Sequence, residues 1–102
     1  EMIPIIREII QSSETKPIIV LFGDHGYAAD AERMAVLTAV YTPDKVKDSM
    51  YPGISLVNIF RIIFNQSFGG NYKILDDISY MSPHTDPFNF TIVEEILPGC
   101  IQ

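Results

Sequence analysis

Cysteine is nearly missing from this chain: of 102 residues only Cys100 is one, so no internal disulfide framework is available. It has no nearby metal-ligand partners in the sequence and reads as a bland terminal residue. Basic residues are also few. Seven Lys and Arg stand against thirteen Asp and Glu, for a formal charge of -6. They are scattered, which argues against nucleic acid as a main partner, because phosphate binding needs a basic surface. No apolar run approaches the ~18 residues of a membrane helix. The longest continuous one, Ile18 to Phe22, has the size of a strand. The first residues carry Glu1 and no basic region, so no signal peptide is expected. Missing too are a Ser-His-Asp arrangement, a phosphate-cradling glycine loop and a CxxC pair.

Apolar residues are plentiful, at 47%, enough for a folded core. The length is that of one domain, residues 1–102. Residues 1–12 read as an amphipathic helix. Met2, Ile3, Ile5, Ile6, Ile9 and Ile10 fall in roughly half of the helical wheel, and Pro4 sits where the first turn tolerates it. Glu1 already lies inside this pattern, so a piece of a longer protein is expected. Ser12, Ser13 and Lys16-Pro17 end the helix; neither serine has an assigned base, so neither reads as a nucleophile.

Ile18-Ile19-Val20-Leu21-Phe22 is rich in β-branched residues and does not alternate. That predicts a strand buried on both faces, as in an α/β sheet. Met34 to Tyr41 reads as a second strand, residues 44–53 as a loop with a Tyr51-Pro52-Gly53 turn. A second helix is predicted over residues 55–65, with Ser55 as its N-cap and Gly69-Gly70 as its stop. Leu56, Val57, Ile59, Phe60, Ile63 and Phe64 share one face; Asn58, Arg61 and Asn65 share the opposite one. Ile62 breaks the pattern, which points to cover on more than one side. Beyond Asn71, Tyr72–Leu75 and Ile78–Met81 are candidate short strands, Ser82–Asn89 is loop, and residues 90–96 fit either a helix or a strand.

Chemistry concentrates at Gly23-Asp24-His25-Gly26. Ligands of open α/β sheets bind beyond the carboxyl ends of strands, where this loop lies. A hard carboxylate oxygen beside an imidazole nitrogen suits zinc or manganese better than calcium. The plainer alternative is an Asx turn at Asp24 with His25 merely exposed. Two ligands do not complete a site, since catalytic zinc takes three from protein. His84, in Pro83-His84-Thr85-Asp86-Pro87, reads as a loop histidine that could join a site at a distance. The Asn58, Arg61, Asn65 stripe could line an anion pocket; a solvated face, or an Arg tying down loop carbonyls, accounts for it more simply.

The order of features is informative as a whole. A helix, then Pro17-Ile18-Ile19-Val20-Leu21-Phe22-Gly23-Asp24-His25-Gly26, is followed by Ala39-Val40-Tyr41-Thr42-Pro43. Ser55-Leu56-Val57-Asn58-Ile59-Phe60-Arg61-Ile62-Ile63-Phe64-Asn65 comes after. From Glu1 to about Tyr80 this resembles the carboxy-terminal part of sulfatase-like proteins of the alkaline phosphatase superfamily, in particular bacterial membrane proteins distantly related to lipoteichoic acid synthases. The resemblance implies an α/β fold, here a partial alkaline-phosphatase-like sheet with flanking helices. It implies that Asp24 and His25 are ligands of a divalent metal, Zn or Mn. It implies a metal-dependent phosphoryl or sulfuryl hydrolase or transferase whose nucleophile and remaining ligands lie upstream, so that this stretch has no catalytic residue of its own and is inactive alone. A membrane-anchored parent with its catalytic domain outside the cytoplasm follows as well. The alternative is a non-catalytic α/β module that keeps the shape without the chemistry. The expected partners are the upstream part of the same polypeptide and, through exposed apolar surface, other copies of the chain.

Overall fold

The computed structural model describes residues 1–27 and 33–93. Cys100 and residues 94–96 of the last predicted element lie outside the described residues. The element order is α1 (Met2–Ser12), β1 (Ile19–Phe22), β2 (Thr38–Tyr41), α2 (Asp44–Lys47), α3 (Leu56–Ser67), β3 (Tyr80–Met81) and β4 (Thr91–Ile92). This is a mixed α/β arrangement with two small antiparallel sheets, β1–β2 and β3–β4. In the first, Ile19 pairs with Tyr41, Val20 with Val40, Leu21 with Ala39 and Phe22 with Thr38.

Both long helices form where the 3.6-residue period puts them. α1 stops as Ser12 Oγ and Ser13 Oγ donate to the carbonyls of Glu8 and Ile9, at 2.7 and 2.6 Å. Those hydroxyls cap a helix end. α3 starts on Ser55, whose Oγ accepts from the Asn58 N–H at 3.3 Å. It stops at Gly69, which takes φ +68° while the next N–H, of Gly70, donates back to Phe64 O at 3.0 Å. Only glycine enters that left-handed conformation without steric cost.

Four predicted features come out differently. The second strand is shorter, Thr38–Tyr41 rather than 34–41, because Arg33 and Met34 make a single tight turn. The segment 44–53 is not all loop: Asp44–Lys47 is one helical turn that places Val46 in the core, before Pro52-Gly53 turns the chain. Residues 72–75 are extended without a strand partner. Finally, β1 is not buried on both faces. Its residues are half-buried, and Phe22 is 52% exposed.

The core is small. Val46, Ile59, Ile62 and Ile63 are buried, with Ile18, Val20, Val40, Met50, Ile54 and Leu56 packed around them. Ile62 thus belongs to the buried face, as its break in the pattern foretold. The opposite side of α3 is covered by residues 72–77, and its polar stripe holds them. Asn58 Oδ1 accepts from Leu75 N–H at 3.0 Å while its Nδ2 donates to Leu75 O at 2.7 Å. Asn65 grips Tyr72 N–H and O in the same way, at 2.7 and 2.8 Å. Between them Arg61 Nη1 donates to Lys73 O at 3.0 Å. Side-chain amides here replace a neighbouring strand as the backbone's partner. Of the three readings of this stripe, the one that ties down loop carbonyls is the one seen.

Candidate functional site

The Asp24–His25 loop begins where β1 ends. Its neck is closed by two backbone bonds, Gly23 N–H to Leu37 O at 3.0 Å and Gly26 N–H to Arg33 O at 2.7 Å. Because β1 and β2 run antiparallel, the carboxyl-edge rule of parallel sheets does not apply to this pair. The loop's own hydrogen bonds do the positioning instead. Gly23 is not in the left-handed region, and a Cβ there would meet only ordinary contacts at 3.4 to 4.0 Å. Conformational freedom at Gly23 is therefore not what makes the turn.

The two side chains converge. Asp24 Oδ2 lies 3.4 Å from His25 Nε2. His25 Nδ1 is 2.7 Å from the carbonyl oxygen of Gly26. A carbonyl can only accept, so Nδ1 carries the proton in that contact and, in the neutral ring, Nε2 keeps its lone pair toward the carboxylate. A backbone carbonyl on the second ring nitrogen is the usual device that orients a metal-binding histidine. The Asp24 carboxylate faces the imidazole, not a backbone N–H as an Asx turn would require. Both side chains are open to solvent, Asp24 at 89% and His25 at 42%.

The pair fits a cation. With ligand bonds of ~2.1 Å, the 3.4 Å separation subtends about 110° at a shared metal, close to tetrahedral. Among the described residues no group of three or more His, Cys, Asp or Glu is placed to hold a metal. Any further ligands come from outside these residues. His84 is exposed in the 82–89 turn region and is not brought into a cluster with Asp24 and His25.

A second polar constellation, invisible to motif reading, surrounds Asp77. Its Oδ1 accepts from Ser55 N–H at 2.7 Å and Asn58 Nδ2 at 2.8 Å, and its Oδ2 from Tyr51 OH at 2.7 Å. Burial pushes this carboxyl up, but the hydrogen bonds from Ser55, Tyr51 and Asn58 outweigh it and hold it at about 2. The same contact raises the Tyr51 phenol, because the hydrogen bond to Asp77, burial and the carboxylate charge all oppose ionisation. Every acceptor bond is internal, so this node fastens the 72–77 segment to the start of α3. It is a clasp and not a ligand site. A Tyr and an Asp separated by 26 positions carry no sequence signal that would have paired them.

Compared with protein-family profiles, curated proteins and solved structures, the chain matches none. The geometry of the Asp24–His25 loop therefore stands by itself.

Proposed function

We propose that this chain is the carboxy-terminal part of a metal-dependent phosphoryl or sulfuryl hydrolase or transferase, to which it contributes Asp24 and His25 as metal ligands. The observation that carries the reading is the convergence of Asp24 Oδ2 and His25 Nε2 at 3.4 Å with His25 Nδ1 already committed to Gly26 O. The order of strand, Asp-His-Gly loop and Asn-Ile-Phe-Arg helix supports it through the likeness to sulfatase-like proteins of the alkaline phosphatase superfamily. On this reading the sheet β1–β2 is a portion of an alkaline-phosphatase-like sheet completed by upstream polypeptide. The parent is membrane-anchored with its catalytic domain outside the cytoplasm. Among the described residues no helix is long and apolar enough to cross a membrane, so an anchor would lie elsewhere.

Asp24 supplies an anionic oxygen and His25 a neutral nitrogen, a donor set suited to Zn or Mn. When bound, such a cation acts as a Lewis acid, orienting a nucleophile and neutralising charge on the group being transferred. This chain's own part is to hold two ligands in one orientation: Gly26 O fixes the ring, and the bonds of Gly23 and Gly26 fix the loop. The nucleophile and the other acidic ligands belong to the upstream polypeptide.

Titration with Zn²⁺ and with Mn²⁺ tests this. The chain alone is expected to bind weakly and turn over nothing, and Asp24→Ala or His25→Ala should abolish the weak binding. In the parent, either substitution should cut phosphate- or sulfate-ester hydrolysis by more than the ~10–100-fold typical of outer-shell changes. Unchanged metal affinity in Asp24→Ala would sink the enzyme reading. It would favour a non-catalytic α/β module in which Asp24 and His25 simply pair with each other.

A further inference from the structure

β1 has only one strand neighbour, and its other edge can be read residue by residue. The Gly23 N–H bonds to Leu37 O, which fixes the phase of the β1–β2 ladder. The hydrogen-bonded pairs are then Leu21 with Ala39 and Ile19 with Tyr41, while Val20–Val40 and Phe22–Thr38 are the non-bonded pairs. It follows that the N–H and C=O groups of Val20 and Phe22 point away from β2, toward a free edge. Among the described residues no backbone or side-chain hydrogen bond reaches them. The edge also lacks the usual protections. There is no charge, proline or bulge within Ile19–Phe22.

We infer that this edge pairs with the same edge of a second copy of the chain, giving an antiparallel four-stranded sheet β2–β1–β1–β2 across a two-fold axis. The register is self-complementary. With the axis at Leu21, Val20 bonds to the partner subunit's Phe22 and Phe22 to the partner subunit's Val20. Both sets of orphan backbone groups are satisfied at once, as an isologous contact requires. The same register sets an aromatic ring beside a β-branched side chain twice over, a favourable cross-strand pair. Phe22 stands edge-on to Phe60 of α3, with ring centroids 6.1 Å apart, and is still half-exposed. The partner subunit's Val20 would cover its open side.

Surface area favours a second copy. The 11.5 kDa chain exposes 8369 Å². A folded monomer of that mass exposes about 5,800 Å². The excess, about 2,500 Å² per chain, is of the size an obligate homodimer interface hides. Among the described residues nineteen large apolar side chains are exposed and four are buried. The other edge, on β2, would set only Thr38 beside Val40 across its axis and offers less to bury. The inference rests on strand geometry and goes beyond the metal reading. Metal titration and association are read separately, so either can fail alone.

The test is a cysteine placed on the axis. Leu21 sits at the non-bonded pair of the new ladder, where like residues face each other with Cα atoms ~4.5 Å apart, within disulfide range. In a Cys100→Ser background, Leu21→Cys should oxidise to a covalent dimer, and Ala39→Cys, its counterpart on β2, should not. Leu21→Lys sets two like charges across the axis and should shift sedimentation from dimer to monomer, with circular dichroism reporting that the variant is folded. The unsubstituted chain should sediment as a dimer in the micromolar range. A monomer at all concentrations would overturn the inference and leave the edge to a strand from outside this chain. Crosslinking through Ala39→Cys instead, or open-ended oligomers, would overturn it equally.

Discussion

Asn58 illustrates how much one side chain can settle. It is fully buried, and its amide meets Leu75 N–H, Leu75 O and the Asp77 carboxylate at 3.0, 2.7 and 2.8 Å. Replacing it by Leu strands at least one buried backbone group and one carboxylate oxygen. Each unsatisfied partner costs about 1–3 kcal/mol. Asn58→Leu should therefore lower unfolding free energy by about 2–4 kcal/mol in urea titration. Asn65→Ala removes an exposed version of the same two-way grip and should cost about 1 kcal/mol. Equal losses at the two positions would contradict the distinction drawn between them. Asp77 adds a pH dependence. Its folded pKa of about 2 lies below the ordinary 3.8, so the folded state binds fewer protons there. The stabilisation is fully present above that ordinary value and is lost as pH falls through about 2. The Asp77→Asn variant should flatten stability between those limits, and a thermal-melt series in acid would show it. Because the carboxylate is largely exposed, solvent screening keeps the effect small.

The elements differ in what sustains them. α3 has a side-chain cap, a glycine stop, a buried face and a polar face clamped to residues 72–77. α1 has none of that support. It is eleven residues long with no buried residue, and Met2, Ile3, Ile5 and Ile9 of its apolar face are exposed. Isolated helices shorter than ~12–15 residues are marginal in water. Amide hydrogen exchange should therefore be fast throughout α1 and slow at Ile59, Ile62 and Ile63. Comparable protection in both helices would mean that α1 is covered in solution. β3 and β4, two residues each and packed mainly on one another with Tyr80 and Phe90 edge to face, should also exchange fast.

At the scale of the molecule, the helices and the metal-ligand candidates were legible because their signals are local. A 3.6-residue period, a Ser N-cap, a Gly-Gly stop and an Asp-His pair behind an apolar strand are written within a few residues of one another. Composition likewise excluded a disulfide framework and a basic nucleic-acid surface. Strand burial and pairing were not legible, because an apolar run states that it prefers to be covered and not by what. Ile18–Phe22 meets α3 on one face and β2 on one edge, and the antiparallel partner follows from where Gly23 N–H finds Leu37 O. The role of the Asn58, Arg61, Asn65 stripe was left among three readings by the sequence. It was decided only when residues 72–77 were brought across α3, since a polar side chain's partner depends on what the chain returns to it. The Asp77 clasp belongs wholly to the tertiary structure, because its hydrogen bonds join residues 19 to 26 positions apart. The sequence alone determined which residues could ligate a cation. Only the fold decided that Asp24 and His25 face one another, because the direction of two adjacent side chains is set by how the loop's backbone bonds close.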